Sequence, residues 1–454
     1  MTDTPVTNTP MTKTATPVQA NSLEAYWMPF TANRAFKARP RLFVGAEGMH
    51  YLTGDGRRVI DATSGLYCVN AGHAHPHIVS AIRAAAGRLD YAPAFQFGHP
   101  DIFELSHRLV MMAPGDLDHV FYGCSGSEAI DTALKIALSY HRRRGEGQRI
   151  RFIGRERGYH GVGFGGISVG GMPANRKVYG TMLGGVDHLP TTYDRDKQAF
   201  SRGEPDWGAH LADELERIVA LHDPSNIAAV IVEPVAGSTG CLPPPKGYLE
   251  RLRAITEAHG ILLIFDEVIT AFGRLGHAFA SDRYGIVPDM IAFAKGVTNG
   301  AVPMSGVLVR SAIYEAHMEG PEHMPELYHG FTYTGHPLAT AAALASLDVY
   351  LSDGLFERAA AHEGLFADAM LSLRSAPGVL DIRPIGMMCG IDLAPAKEGA
   401  GTRGFAVMDR AYHEQDLYIR VGGDTLIVAP PLIAGPDDII AIRDKLAVLI
   451  GQTA

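Results

Sequence analysis

The sequence predicts an α/β fold. A large domain has a mostly parallel sheet flanked by helices, and a smaller α+β domain is contributed by both chain ends. Three observations predict it. Ala228–Val232, Ile261–Phe265 and Met290–Ala294 are short apolar runs without polar alternation, as in strands buried on both faces. From residue 119 to residue 310 such runs alternate with helical patterns, which favours a parallel sheet. Each of the three runs ends in an ionisable residue: Glu233, Asp266 (followed by Glu267) and Lys295. Ligand crevices of open α/β sheets lie at that edge. An acid and a lysine there could hold a cofactor between them, or could form a buried ion pair. The two runs alone leave both readings open.

The totals bound the rest. The 454 residues exceed one small core and suggest about two to four domains. With 46% hydrophobic and 20% charged residues the composition is that of a globular protein, and a net charge of -9 gives no nucleic-acid surface. No apolar run reaches the ~18 residues needed to span a bilayer, so no membrane segment is expected. Residues 1–20, rich in Thr and Pro, read as a disordered tail and not as a signal peptide. Cys68, Cys124, Cys241 and Cys389 are far apart and form neither a ligand cluster nor a disulfide framework, which suits a reducing cytoplasm.

Taken in order, Trp27-Met28-Pro29-Phe30 forms an aromatic knot, and Gly48–Asp61 alternates around Gly54-Asp55-Gly56, a hairpin signal. His73, His75 and His77 alternate and invite a metal reading, but Pro76 stands among them with no carboxylate or cysteine. A helix-entry loop is preferred. Helices are expected over Ile78–Leu89 and Asp101–Met112, with a loop around Phe95 between them. The strand His119–Tyr122 runs into Ser125-Gly126-Ser127-Glu128 and a helix whose apolar residues Ile130, Ala133, Leu134, Ala137 and Leu138 recur at helical spacing. Gly126, Ser127 and the free first-turn N–H groups can seat an anion. Plain N-capping by serine with Glu in the first turn explains the same residues equally well.

Arg149–Ile153 is a strand. Gly161, Gly163 and Gly166 match G-x-G-x-x-G by letter, but no helical pattern follows, so a glycine-rich loop presenting Tyr159 is preferred to a dinucleotide fingerprint. Residues 170–210 read as irregular. Leu211–Leu221 and Tyr248–His259 read as helices, and Gly306–Arg310 as one more strand. Beyond the polar loop 328–337 come a helix over Leu338–Tyr350, short strands around Leu380–Asp392, a helix near Phe405–Glu414, the run Leu417–Arg420 and a final helix over Asp437–Ile450. Residues 21–75 and 336–454 are expected to form the small domain, and 76–335 the large one.

In this order and spacing the pieces resemble the class III aminotransferases, a pyridoxal-phosphate family of fold type I, and most of all the β-alanine (ω-amino acid):pyruvate aminotransferases. The likeness rests on Trp27–Arg34, Ser125–Glu128, Gly158–Gly161, Glu233-Pro234, Phe265–Arg274, Lys295 with Val297–Gly300, and Gly422–Leu426. The resemblance implies pyridoxal 5'-phosphate as cofactor. Lys295 would be its Schiff-base lysine and proton shuttle, and Asp266 would keep its ring nitrogen protonated. Gly126 and Ser127 would hold the phosphate, Tyr159 and Val268 the two ring faces. Glu233 would stand near the cofactor. Phe331 and Thr332 would reach the phosphate from a neighbouring copy, implying a homodimer with shared sites, or a tetramer.

Arg420 matches the family's mobile carboxylate-binding arginine. Trp27, Phe30, Tyr67 and Phe95 are candidates for the pocket wall. Many family members carry Trp where this chain has Tyr67, which leaves the pocket's size and polarity open. His160 and Asp187 read as loop and surface groups. The activity implied is ping-pong transfer of an amino group from an ω-amino acid or primary amine to pyruvate, giving an aldehyde or ketone and alanine. A taurine or diamine donor, or an aminomutase, is the alternative within the family. A metal-dependent hydrolase using the three histidines, or a non-catalytic binding protein, is the alternative outside it.

Overall fold

The computed structural model describes residues 23–180 and 182–454. The expected tail over 1–20 lies outside the described residues. The strands in chain order are β1 (Gly45–Glu47), β2 (His50–Leu52), β3 (Arg58–Asp61), β4 (Leu117–Gly123), β5 (Arg151–Arg155), β6 (Val186–Leu189), β7 (Ile227–Val232) and β8 (Leu262–Asp266). They continue with β9 (Met290–Phe293), β10 (Ser305–Arg310), β11 (Val379–Ile385), β12 (Met388–Leu393), β13 (Leu417–Tyr418), β14 (Arg420–Gly422) and β15 (Thr425–Val428).

Seven strands make the central sheet, in the order β4-β10-β9-β8-β7-β5-β6. The three apolar runs become its middle, and every residue of β7, β8 and β9 is buried. Alternate side chains serve two different cores. Ala229, Ile231, Ile264 and Ala292 face the helix Gly126–Arg143 through its Ile130, Ala133, Leu134 and Ala137. Val230, Val232, Leu263, Phe265 and Ile291 face Leu215, Ile218, Leu249 and Leu252 of the helices Glu214–His222 and Tyr248–Ala258. Each such Val, Leu, Ile or Phe side chain contributes roughly 1.5–3 kcal/mol, so a polar residue in its place on either face would be destabilising.

Two expectations need correction. The strand Gly306–Arg310 was expected to continue a parallel sheet. Instead β10 pairs antiparallel with both β4 and β9, because no crossover helix separates β9 from β10. Residues 170–210, expected to be irregular, contain β6, which pairs in parallel with β5 at the sheet edge. Its Val-Asp-His-Leu sequence is half-buried and gives little apolar signal.

Both chain ends meet in two smaller sheets. β1, β2 and β3 form the expected hairpin layer, and β13 joins it in parallel, Leu417 opposite Ile60. β11, β12, β15 and β14 form the other. Arg274 ties these parts to the large sheet. Its guanidinium is fully buried. It donates to Met387 O at 3.1 Å, Pro430 O at 2.6 Å, Ser64 Oγ at 2.9 Å and Asn70 Oδ1 at 2.6 Å, without a carboxylate among the described residues. Burial lowers its pKa to about 10, so it stays a cation at neutral pH. Arg274→Met should strand several buried oxygens and destabilise the protein by at least about 3 kcal/mol, measured by guanidinium chloride unfolding.

Candidate active site

Strands β4, β5, β7, β8 and β9 run in one direction and deliver their following loops to one edge of the sheet. There a cavity of about 140 Å³ is lined by Gly126, Ser127, Tyr159, Glu233, Asp266, Val268 and Lys295, together with His160, Gly161, Ile130 and Ile269. Residues spread over 170 positions of sequence thus converge because their strands are neighbours.

Lys295 follows β9 with a φ of +50°. Among the described residues it makes no ion pair, so the buried Asp–Lys bridge that the sequence left open does not form. Its Nζ lies 5.8 Å from the centre of the Tyr67 ring. Burial holds its ammonium below the ordinary lysine range; Cys68 and Asp266 oppose this, and the Arg420 cation adds to it.

Asp266 ends β8 and is buried. One carboxylate oxygen accepts the Val268 N–H at 3.1 Å, and the other lies 2.8 Å from His160 Nδ1. This corrects the reading of His160 as a bland loop residue: it is 1% exposed and pairs with the cavity's acid. Its place beside Tyr159 gave no local signal, because its partner lies 106 residues away. Asp187, on β6, pairs with Arg151 and His222 away from the cavity.

Glu233 acts on the loops. Its carboxylate accepts the Tyr159 N–H at 2.8 Å and the Gly237 N–H at 3.0 Å. Burial and the neighbouring Asp266 charge raise its pKa, while His160 opposes them. At the helix Gly126–Arg143 the capping and seating readings coexist on different serines. Ser125 caps, in a box closed by Glu128. Ser127 is two residues further on, facing the cavity, and its Oγ accepts the Val162 N–H at 3.0 Å.

The glycine-rich loop is shaped by this helix. A short helix, Phe164–Val169, begins within it, contrary to expectation. The glycines nonetheless serve packing. A Cβ on Gly161 would fall 2.5 Å from Ser127 Oγ, and one on Gly166 would fall 2.1 Å from His160 O. Gly126 is less tightly constrained, its Cβ position lying 3.1 Å from Val268 Cγ1. The start of the helix and Val268 therefore close one side of the cavity.

The remaining expected residues divide. Tyr67 is buried, and its hydroxyl donates to Gly237 O at 3.3 Å. The Arg420 backbone N–H donates to Thr63 Oγ1 at 3.3 Å, and its guanidinium has no ion pair among the described residues. Its charge reaches Tyr159 and Lys295. Trp27, Phe30 and Phe95 are not walls of this chain's cavity: they are 89%, 79% and 57% exposed. Phe331 and Thr332 also stand off it, in a turn where Thr332 O accepts the Tyr91 hydroxyl at 3.0 Å. The three histidines diverge, His73 to Asp61 at 2.8 Å and His77 to Asp348 at 3.2 Å, while His75 precedes the helix Pro76–Arg88.

An unpaired lysine, a buried acid bonded to histidine, an aromatic face and a helix start narrow the chemistry, and comparison with known proteins decides the family. The family model for class-III aminotransferases matches residues 32–450. The chain belongs to that family. It is 56% identical over 433 residues to an omega-aminotransferase of Caulobacter vibrioides, covering 95% of this chain and 98% of that one. It is 46% identical over 436 residues to a beta-alanine–pyruvate aminotransferase of Pseudomonas aeruginosa, covering 95% and 97%. Among solved structures, an (S)-enantioselective omega-transaminase from Thermomicrobium roseum superposes with a TM-score of 0.89 at 33% identity, covering 96% and 98%. The fold is that of the omega-transaminases.

Class-III aminotransferases are pyridoxal-phosphate enzymes, and an amine transaminase similar to this chain (TM-score 0.88, 32% identity, covering 94% and 99%) has been solved in its PLP-bound form. The residues present fit that group. Among the described residues, lysine Nζ is free of an ion pair, the carboxylate has only histidine and a backbone N–H as partners, and at Gly126 a Cβ would crowd Val268.

The lowered lysine pKa has a thermodynamic consequence. Between its depressed folded value and the ordinary 10.5, the unfolded state binds the extra proton, so this residue's penalty fades as pH rises. Lys295→Met should therefore stabilise the cofactor-free protein near neutral pH, and the gain should vanish as pH approaches 10.5. Thermal unfolding of both proteins across that range measures it.

Proposed function

We propose that this class-III aminotransferase carries pyridoxal 5'-phosphate on Lys295 and moves an amino group from an ω-amino acid or primary amine to pyruvate in two half-reactions. The observation that carries this reading is Lys295 without an ion pair, in one cavity with Asp266 and its histidine.

Bound pyridoxal 5'-phosphate supplies the electron sink for a carbanion at the amine-bearing carbon. The chain's own residues do the rest. Asp266, oriented by His160 Nδ1 and the Val268 N–H, is the acid to face the ring nitrogen. Gly126 and Ser127 would hold the phosphate at the helix start. Tyr159 and Val268 would hold the ring, and Glu233 fixes Tyr159 through its N–H. Lys295 Nζ, made less basic by burial and freed when the donor amine takes its place, would accept the proton from the donor's amine-bearing carbon and hand it on to the cofactor. Arg420, free of a carboxylate partner, binds that of pyruvate or of an ω-amino acid donor.

A homodimer with shared sites accounts for the residues left off the cavity. Phe331 and Thr332 would then complete the partner's phosphate seat. The exposed Trp27, Phe30 and Phe95 would meet the partner copy, as large apolar patches do. The four cysteines are free, which suits a cytoplasmic enzyme, and no described helix is long and apolar enough to cross a membrane.

A donor panel with pyruvate as acceptor, read as alanine formed, tests the substrate. β-Alanine and primary amines should react. If only taurine or diamines react, the substrate reading fails and the reaction class survives. Lys295→Ala should lose both the yellow cofactor band and turnover. Arg420→Leu should raise the KM for pyruvate by roughly 10- to 100-fold, the loss of a charge-assisted hydrogen-bond pair. Donors without a carboxylate should keep their first half-reaction rate, followed in single turnovers.

A further inference from the structure

The turn that carries Lys295 is held by side chains that do not line the cavity. It bends through left-handed backbone at three places: Lys295 has a φ of +50°, Asn299 of +52° and Gly300 of +68°. For a lysine this conformation is strained, and such strain persists only where the surroundings fix it.

Two residues do so. Tyr350, fully buried on the helix Pro337–Ser352, donates its hydroxyl to Gly296 O at 2.5 Å. Asn299 accepts the Ala71 N–H on its Oδ1 at 2.8 Å and donates its Nδ2 to Gly72 O at 2.8 Å. Gly296 itself is boxed in, its Cβ position lying 2.8 Å from Asn70 Nδ2 and 3.1 Å from Phe272 Cβ. The turn is therefore gripped from the helix on one side and from the segment 70–72 on the other.

We propose that Tyr350 and Asn299 are positioning residues for Lys295, holding the 295–300 turn in the left-handed form that keeps Nζ in the cavity. The proposal rests on the reading of Lys295 as the cofactor-bearing lysine. Without the Tyr350 hydroxyl, the Gly296 carbonyl keeps the Asn299 N–H at 3.0 Å but loses its side-chain donor among the described residues, so the peptide between Gly296 and Val297 gives up one of two restraints. The strain stored at Lys295 is comparable with one buried hydrogen bond, so either loss shifts the turn toward a relaxed lysine.

Tyr350→Phe removes a single oxygen. Asn299→Gly keeps the backbone conformation accessible and deletes both hydrogen bonds, so the two variants separate clamping from backbone strain. The readout is Lys295 in the cofactor-free protein, acylated by an amine-reactive reagent across pH and quantified by peptide mass spectrometry. Both variants should move the half-reaction pH of Lys295 upward as Nζ gains solvent. Release of pyridoxal 5'-phosphate from the loaded variants should quicken by about tenfold. An unchanged Lys295 profile with only a lower thermal midpoint would make the two residues merely structural and overturn the proposal. Borohydride reduction of the loaded parent should map the cofactor to Lys295. An adduct on another lysine would overturn the reading of Lys295 itself, and the proposal with it.

Discussion

A buried cation without an anion holds this molecule together. The Arg274 guanidinium lies in the interior among two carbonyls, a hydroxyl and an amide oxygen, drawn from the strand ends of the small domain and from segment 64–70. Neutral oxygens at 2.6–3.1 Å offset its desolvation without introducing a second charge that could pull it elsewhere. Arg274 lies eight residues beyond Asp266 on the same connection, so the clamp that joins the sheets also sets the loop that leaves the acid. Asn70 shares in it: its Oδ1 takes the arginine, its Nδ2 donates to Phe272 O, and the same amide limits the space at Gly296.

The site follows from that frame and from strand direction. Five co-directional strands bring their loops to one edge, where charge is arranged by burial and not by pairing. Asp266 is given to His160, Glu233 to two backbone N–H groups, and Lys295 and Arg420 to no carboxylate among the described residues. Glu267, next to Asp266, is turned the other way. It accepts from the Ser281 N–H at 3.0 Å, Ser281 Oγ at 2.7 Å and Thr270 Oγ1 at 3.1 Å, and burial pushes its pKa up to about 7. Adjacent carboxylates in sequence thus serve opposite sides of the strand end, one the cavity and one the packing of the following loop. This is the alternation of a β-strand carried one residue past its end.

The glycine-rich loop shows where reading letters and reading contacts part. Its spacing matches a dinucleotide motif, and a short helix does begin within it. Yet the space at Gly161 is taken by Ser127 and that at Gly166 by the His160 carbonyl, so Gly161 lets the loop lie on the helix start and Gly166 lets the loop fold on itself. That close approach sets Tyr159 and His160 over the cavity. The local sequence favoured a loop presenting Tyr159, while the role of His160 needed Asp266 to be in place first.

By itself the sequence determined the buried strands β7, β8 and β9, the ionisable residue after each, and the family, because runs of apolar residues and ordered motifs are properties of the chain read locally. It also marked Gly126, Ser127, Tyr159, Val268 and Lys295, which line the cavity. Only the tertiary structure decided that β10 runs against its neighbours, that the half-polar segment at 186–189 is an edge strand, and that Asp266 pairs with His160 and not with Lys295. It alone showed Trp27, Phe30, Phe95, Phe331 and Thr332 standing away from the cavity of a single chain. These depend on partners many residues distant, or on faces whose burial no local pattern encodes. Strand direction, side-chain pairing and the shape of an edge are settled by which segments become neighbours, and that is a property of the folded chain.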